Sequence, residues 1–214
     1  MRFVASFSHP MLLGGTQQNA FIKVDLTGFK IERESDRTPV NIAFVLDKSG
    51  SMGGEKMQQA KDATIMAIDY LDEGDVVSVI AYDNHARVLM PATQVADKEA
   101  IRERIRNLGA GGGTALYAGV VHGARELREF LDPQRVNRVI LLSDGQANEG
   151  PSTPTELGDL GAALIKEGIS VTTIGLGLGY NEDLMTQLAL RSDGNHNFVE
   201  DVEALATIFN QEFG

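Results

Sequence analysis

Two rhythms of apolar and polar positions alternate along the chain. Short, nearly unbroken apolar runs occupy residues 40–46, 76–82, 136–142 and 169–176. Their length and β-branching are those of strands buried on both faces of a parallel sheet. Between them apolar residues recur at helical spacing. One set is Met57, Ala60, Thr64, Ala67, Ile68 and Leu71, with Gly74 expected to end the helix. Others are Leu116, Gly119, Val120, Gly123, Ala124, Leu127 and Leu131, then Leu157, Leu160, Gly161, Leu164 and Ile165, stopped by Gly168. Residues 97–108 predict a short charged helix, Asn181 caps another through Leu184, Met185 and Leu188, residues 195–200 predict a last strand, and residues 202–213 a closing amphipathic helix.

The boundaries carry their own chemistry. Thr153-Pro154-Thr155-Glu156 is a capping box with proline at the first helical position. Asp83-Asn84-His85 is a turn leading to a strand at residues 86–90 closed by Pro91. Strands joined by so short a turn must be antiparallel, which places the second at an edge. The expected fold is therefore α/β: a doubly wound, mostly parallel six-stranded sheet with one antiparallel edge strand and helices on both faces. Residues 1–39 read differently. Residues 21–27 alternate as a strand with one wet face, Gly14 to Asn19 form a turn-rich loop, and residues 32–38 are a charged linker ending at Pro39. The division expected is an N-terminal β-segment and linker at 1–39, either an extra strand or hairpin or a remnant of a neighbouring β-domain, followed by the principal domain at 40–214.

Composition narrows the function. The chain has 214 residues, 43% of them hydrophobic, enough for one good core. It contains no cysteine, so disulfides, thiolate metal sites and a cysteine nucleophile are excluded. The net charge of −11 and the lack of a basic run disfavour nucleic-acid binding. Such a surface keeps the chain soluble and also concentrates divalent cations. Residues 1–7 lack the pattern of a signal peptide, and no apolar run reaches the ~20 residues of a membrane helix. The lack of a polar tail at either end suggests a domain taken from a longer protein, and compartment is left open.

The chain is organised around residues 40–51, where the apolar run breaks into Asp47-Lys48-Ser49-Gly50-Ser51. Asp47 falls at the carboxyl end of a strand, where open α/β sheets place their ligands. An aspartate and two hydroxyls at alternate positions of one tight turn can face a small hard cation, and oxygen-only donors suit Mg²⁺, Mn²⁺ or Ca²⁺. Asp144 follows another buried strand in Ser143-Asp144-Gly145. Thr114 ends the glycine run 109–113, stands where a helix N-cap belongs, and can approach such a site closely. Singly, each of these is an ordinary turn former or cap; their conjunction points to a metal site. If the strands before Asp47 and Asp144 flank the switch point of the sheet, all five side chains share one crevice.

With those residues in view, the chain resembles the von Willebrand factor A domains. Asp47-Lys48-Ser49-Gly50-Ser51 is similar to the D-x-S-x-S signature of their metal-ion-dependent adhesion site, Gly113-Thr114 to its threonine, and Ser143-Asp144-Gly145 to its later aspartate. The resemblance covers roughly residues 40–213 and is strongest to bacterial members around 41–54. It implies that Ser49, Ser51 and Thr114 coordinate the ion directly or through water, while Asp47 and Asp144 act mostly through water or hydrogen bonds to those hydroxyls. It implies Mg²⁺ as the ion, with Mn²⁺ or Ca²⁺ as substitutes, and a partner protein whose exposed Asp or Glu fills the open position. It also implies that residues 202–213 move when the ligand binds.

Competing patterns are weaker. Gly175-Leu176-Gly177-Leu178-Gly179-Tyr180 lacks the last glycine of a dinucleotide loop, the 109–114 run lacks the lysine of a P-loop, and His9, His85, His122 and His196 form no helical pair. Two further readings stay open: a metal-dependent phosphoryl-transfer or hydrolytic enzyme using Asp47 or Ser49, or a scaffold whose function lies in residues 1–39 or in missing domains. The enzyme reading wants a second acid or a G-x-S-x-G turn, neither of which stands beside Asp47 or Ser49.

Overall fold

A computed structural model describes residues 2–7, 15, 22–27, 37–177, 180–199, 208, 209 and 212. The chain divides into two compact units, Met1–Asp36 and Arg37–Gly214. In the first, strands β1 (Arg2–Phe7) and β2 (Ile22–Thr27) pair antiparallel, with Arg2 opposite Thr27 and Phe7 opposite Ile22. The alternation in β2 predicts one dry face, yet Ile22 and Val24 are exposed. A two-stranded ribbon has no second layer of its own to cover either face.

The second unit is built on six strands: β3 (Val40–Asp47), β4 (Val76–Tyr82), β5 (Ala86–Gln94), β6 (Val136–Ser143), β7 (Ser170–Leu176) and β8 (His196–Val199). Their order is β5-β4-β3-β6-β7-β8, with β5 antiparallel to β4 and every other pairing parallel. Helices α1 (Glu55–Asp69), α2 (Lys98–Arg106), α3 (Leu116–Arg128), α4 (Pro154–Ile165) and α5 (Glu182–Arg191) complete the described elements. The expected doubly wound sheet is the one observed.

Alternation along β3 divides the core in two. Ile42, Phe44 and Leu46 face one layer with Ala60, Ala67 and Ile68 of α1 and Ile101 and Ile105 of α2. Ala43 and Val45 face the other, with Leu116, Val120 and Leu127 of α3, Leu157 of α4 and Leu188 of α5. Every residue of β3 is buried, so both faces stabilise it, at about 1.5–3 kcal/mol for each large apolar side chain. The lone polar interruption, Asn41, is tied through its amide nitrogen, which donates to Leu127 O (2.9 Å), Phe130 O (3.2 Å) and Asn137 Oδ1 (3.0 Å), while its own Oδ1 is buried without a partner among the described residues. At the entry to β3, Asp75 Oδ1 accepts from Val40 N at 2.8 Å, and the same carboxylate pairs with Arg37.

Two boundaries differ from the local reading. Pro91 does not close β5, which runs on to Gln94. The strand is an edge with a register shift between Val77 and Val79, so the proline sits where no ladder N–H is required. Likewise α1 ends at Asp69 with Tyr70 as its C-cap, well before Gly74. Leu71 already turns into the core, and Asp75 draws the backbone N–H of Asp72 at 2.7 Å. The expected closing helix at 202–213 lies mostly outside the described residues, of which Ile208, Phe209 and Glu212 are helical and buried.

Candidate metal centre

Between β3 and β6 the connections diverge, β3 continuing toward β4 and β6 toward β7. That is the topological switch point, and its crevice opens at the carboxyl ends of the two strands. Asp47 is the last residue of β3, and Asp144 follows the last residue of β6. Both are fully buried.

Three hydrogen bonds hold the Asp47 carboxylate. Its Oδ1 accepts from Ser49 N at 2.8 Å, a short turn closed by the aspartate's own side chain. Its Oδ2 accepts from Ser143 Oγ at 2.5 Å and from Tyr82 Oη at 3.1 Å, so both strands that flank β3 contribute a donor. Burial pushes the Asp47 carboxyl above the usual range, against the pull of the hydrogen bonds from Ser143 and Ser49, and the nearby charge of Asp144 adds to the rise. The same burial, followed by the Asp47 charge, pushes the Tyr82 phenol well above its ordinary value and keeps it a donor.

The two serines of the turn lie together, Ser49 Oγ and Ser51 Oγ 3.1 Å apart. Ser49 is buried while Ser51 is exposed, so the turn runs from the floor of the crevice to solvent. Gly50 starts a short 3-10 turn to Met52, whose buried side chain anchors it. The glycine run is stitched to this turn: Gly50 N donates to Gly112 O (2.9 Å) and Gly111 N to Lys48 O (2.7 Å). Gly112 sits at φ +87°, and a Cβ there would come within 2.6 Å of Asn84 Oδ1, so glycine permits the approach.

Thr114 is buried but is not the N-cap of α3; that position is Ala115, with no side-chain cap. Ala115 N bonds instead to Asp83 O at 2.7 Å. Thr114 is braced through its backbone: its N donates to Asn148 Oδ1 at 2.8 Å, and its carbonyl accepts from Asn148 N and Glu149 N. This loop is thereby clamped between the Asp47 turn and the segment after Asp144. Direct hydrogen bonds thus join Asp47, Ser49 and Ser51; Asp144 is linked through Ser143 and through its charge; and Thr114 belongs by its loop.

The structure adds residues that sequence reasoning missed. Ser143 and Tyr82 hold Asp47, and Lys56 Nζ donates to Asp144 Oδ2 at 2.9 Å. Ser143 stood beside an identified aspartate and Tyr82 closed a recognised strand, so both were in plain view; no local pattern tied either to Asp47. Lys48 turns aside to pair with Asp83, whose carboxyl it holds below the usual range.

The donor chemistry fits a hard divalent cation. Two carboxylates and three hydroxyls are all oxygen. Among the described residues no three His, Cys, Asp or Glu side chains gather into a metal-binding group. A cation here would therefore depend on hydroxyls and water beside the two aspartates, which suits Mg²⁺, an ion that keeps part of its hydration shell.

A doubly wound domain with a polar cluster at its switch point is an α/β fold of the class that places ligands, where it binds them, in that crevice. Residues 41–211 match the model of the von Willebrand factor type A domain, and the chain belongs to that family, whose domains typically mediate interactions between proteins. It is 33% identical over 184 residues to protein sll0103 of Synechocystis sp., covering 86% of this chain and 43% of that protein. It is also 30% identical over 173 residues to inter-alpha-trypsin inhibitor heavy chain H3 of Rattus norvegicus, covering 77% and 19%. The chain thus spans well under half the length of these curated relatives. Among solved structures it is similar to a von Willebrand factor type A protein from Catenulispora acidiphila (TM-score 0.68, 24% identity, 98% of this chain and 48% of that one). It is also similar to proximal thread matrix protein 1 from the mussel byssus with a zinc-occupied MIDAS motif (TM-score 0.64, 23% identity, 83% and 45%). No described helix is long and apolar enough to cross a membrane.

Proposed function

We propose that residues 40–214 act as a divalent-cation-dependent interaction module that captures an Asp or Glu side chain of another protein. Asp47, Ser49, Ser51, Thr114 and Asp144 would hold the ion, with Mg²⁺ the first choice and Mn²⁺ or Ca²⁺ as substitutes. The observation that carries this reading is the bonded set Asp47, Ser49 and Ser51 at the end of β3, facing buried Asp144 at the end of β6. The mussel relative's zinc-occupied motif supports it by analogy of fold. Residues 1–39 are taken as a separate β-element attached to this module.

When bound, the ion supplies an electrophilic position able to accept a carboxylate oxygen. The protein's own groups do the rest. Ser143 and Tyr82 fix the Asp47 carboxylate so that its remaining lone pairs face the turn. The Gly112 contact holds the Ser49–Ser51 turn in place, and the exposure of Ser51 leaves an approach from solvent. Because Asp47 and Asp144 would act mostly through water or hydrogen bonds, with hydroxyls as the direct donors, the position facing the partner would stay electrophilic. A catalytic role gains no support from this geometry, because the Ser49 hydroxyl bonds to Ser51, which is no base.

Calorimetric titration of metal-stripped protein with Mg²⁺, Mn²⁺ and Ca²⁺, beside Asp47→Ala, tests the proposal. Binding by the wild type that is lost in the variant is the expected result. Equal binding by Asp47→Ala would move the ion elsewhere and favour the scaffold reading.

A further inference from the structure

Lys56 stands in the first turn of α1, where the helix dipole disfavours a cation. Its ammonium nevertheless reaches across the crevice to Asp144 Oδ2 at 2.9 Å. Asp144 is fully buried, whereas the lysine side chain keeps 24% of its surface exposed. The stem has a prepared path: Gly177, at φ +80°, would place a Cβ 2.6 Å from Lys56 Cε and 3.3 Å from Cδ. A side chain there would have to displace the end of the lysine stem from this path. The first turn of α1 and the loops after β6 and β7 therefore combine to lay one lysine against one carboxylate of the candidate centre.

We infer that Lys56 is an internal counter-ion that competes with the divalent cation for the Asp144 carboxylate and so sets the metal affinity. This rests on the metal reading proposed above. Asp47 and Asp144 are both fully buried at the carboxyl ends of the adjacent strands β3 and β6. Two buried like charges need a cation nearby, and in the metal-free protein Lys56 provides it. A divalent ion neutralises both carboxylates by itself. The ammonium is then surplus positive charge beside a dication, and it must either swing toward solvent along its exposed end or stay and weaken the ion's hold. Both routes make removal of the lysine charge tighten metal binding. A lysine that merely braces the loop would behave differently, since its removal would loosen the centre and weaken binding.

The test is calorimetry with Mn²⁺ on the wild type, Lys56→Met and Lys56→Gln, with thermal unfolding of each in metal-free buffer and in saturating Mn²⁺. The expected result is at least about tenfold tighter binding in both neutral variants, equivalent to ~1.4 kcal/mol. Their melting temperatures should fall below wild type without metal and rejoin it at saturation. Binding by the neutral variants alone, with none by the wild type, would also support the inference. Equal or weaker Mn²⁺ binding by both variants, beside a wild type that binds, would overturn the role of Lys56 and leave the metal reading standing. Absence of binding by all three proteins would overturn both.

Discussion

Replacing Gly119 by alanine should disturb the candidate centre from behind. Gly119 lies on α3 directly over Tyr82, and an added Cβ would stand 2.5 Å from Cδ1 and 3.0 Å from Cε1 of that ring. Tyr82 is fully buried on the central strand β4, so the ring has little room to retreat. Overpacking of this kind costs about 1–3 kcal/mol. A ring that shifts also withdraws its hydroxyl from Asp47, now 3.1 Å away, and a hydrogen bond to a charged group contributes about 1.5–3 kcal/mol. Alanine returns up to about 1 kcal/mol through its better helix propensity. The net expectation is a loss of about 1.5–5 kcal/mol, seen in urea as a lower midpoint at unchanged slope. A cycle with Tyr82→Phe separates the two costs: if Gly119→Ala has already broken the hydroxyl contact, adding Tyr82→Phe costs little more, and the coupling is about 1.5–3 kcal/mol. Stability of Gly119→Ala within about 0.5 kcal/mol of wild type would refute the close packing of α3 against Tyr82.

Two other sites give independent tests. Glu212 is buried, pairs with Arg138, and accepts from Thr172 Oγ1 (2.6 Å) and Asn195 Nδ2 (2.8 Å). Glu212→Ala leaves Arg138 without its carboxylate partner and should cost about 3–5 kcal/mol in chemical denaturation, with a loss below about 1 kcal/mol arguing against the network. His196, between Thr173 Oγ1 and Tyr180 Oη, is held by burial below its ordinary value of 6.5. The unfolded chain then binds the proton more tightly, so its contribution to stability is present above pH 6.5 and is lost as pH falls through the window below it. His196→Asn should flatten that part of the stability–pH curve, and an unchanged slope would count against this assignment.

The amino-acid sequence alone determined the elements and the turn at their centre. Apolar periodicity is local, so the buried strands, the Thr153 capping box and the Asn181 cap were legible in short windows, and each matches the structure. The alternate placement of Asp47, Ser49 and Ser51 is also local, and hydrogen bonds join the three. The antiparallel edge followed from a turn too short for a crossover.

Tertiary structure decided the rest, because partners distant in sequence compete with local preference. Pro91 stays inside β5 only because that strand is an edge, a property of the assembled sheet. Thr114 gives up the capping role its position suggested because Asp83 O and Asn148 claim the backbone around it. Tyr82, Ser143 and Lys56 converge on the two aspartates from strands and helices whose order no periodicity specifies. Spacing in the chain could place two carboxylates at strand ends. Only the packing of β3 beside β6 put them in one buried crevice, where the charge of Asp144 adds to the burial that raises the Asp47 carboxyl.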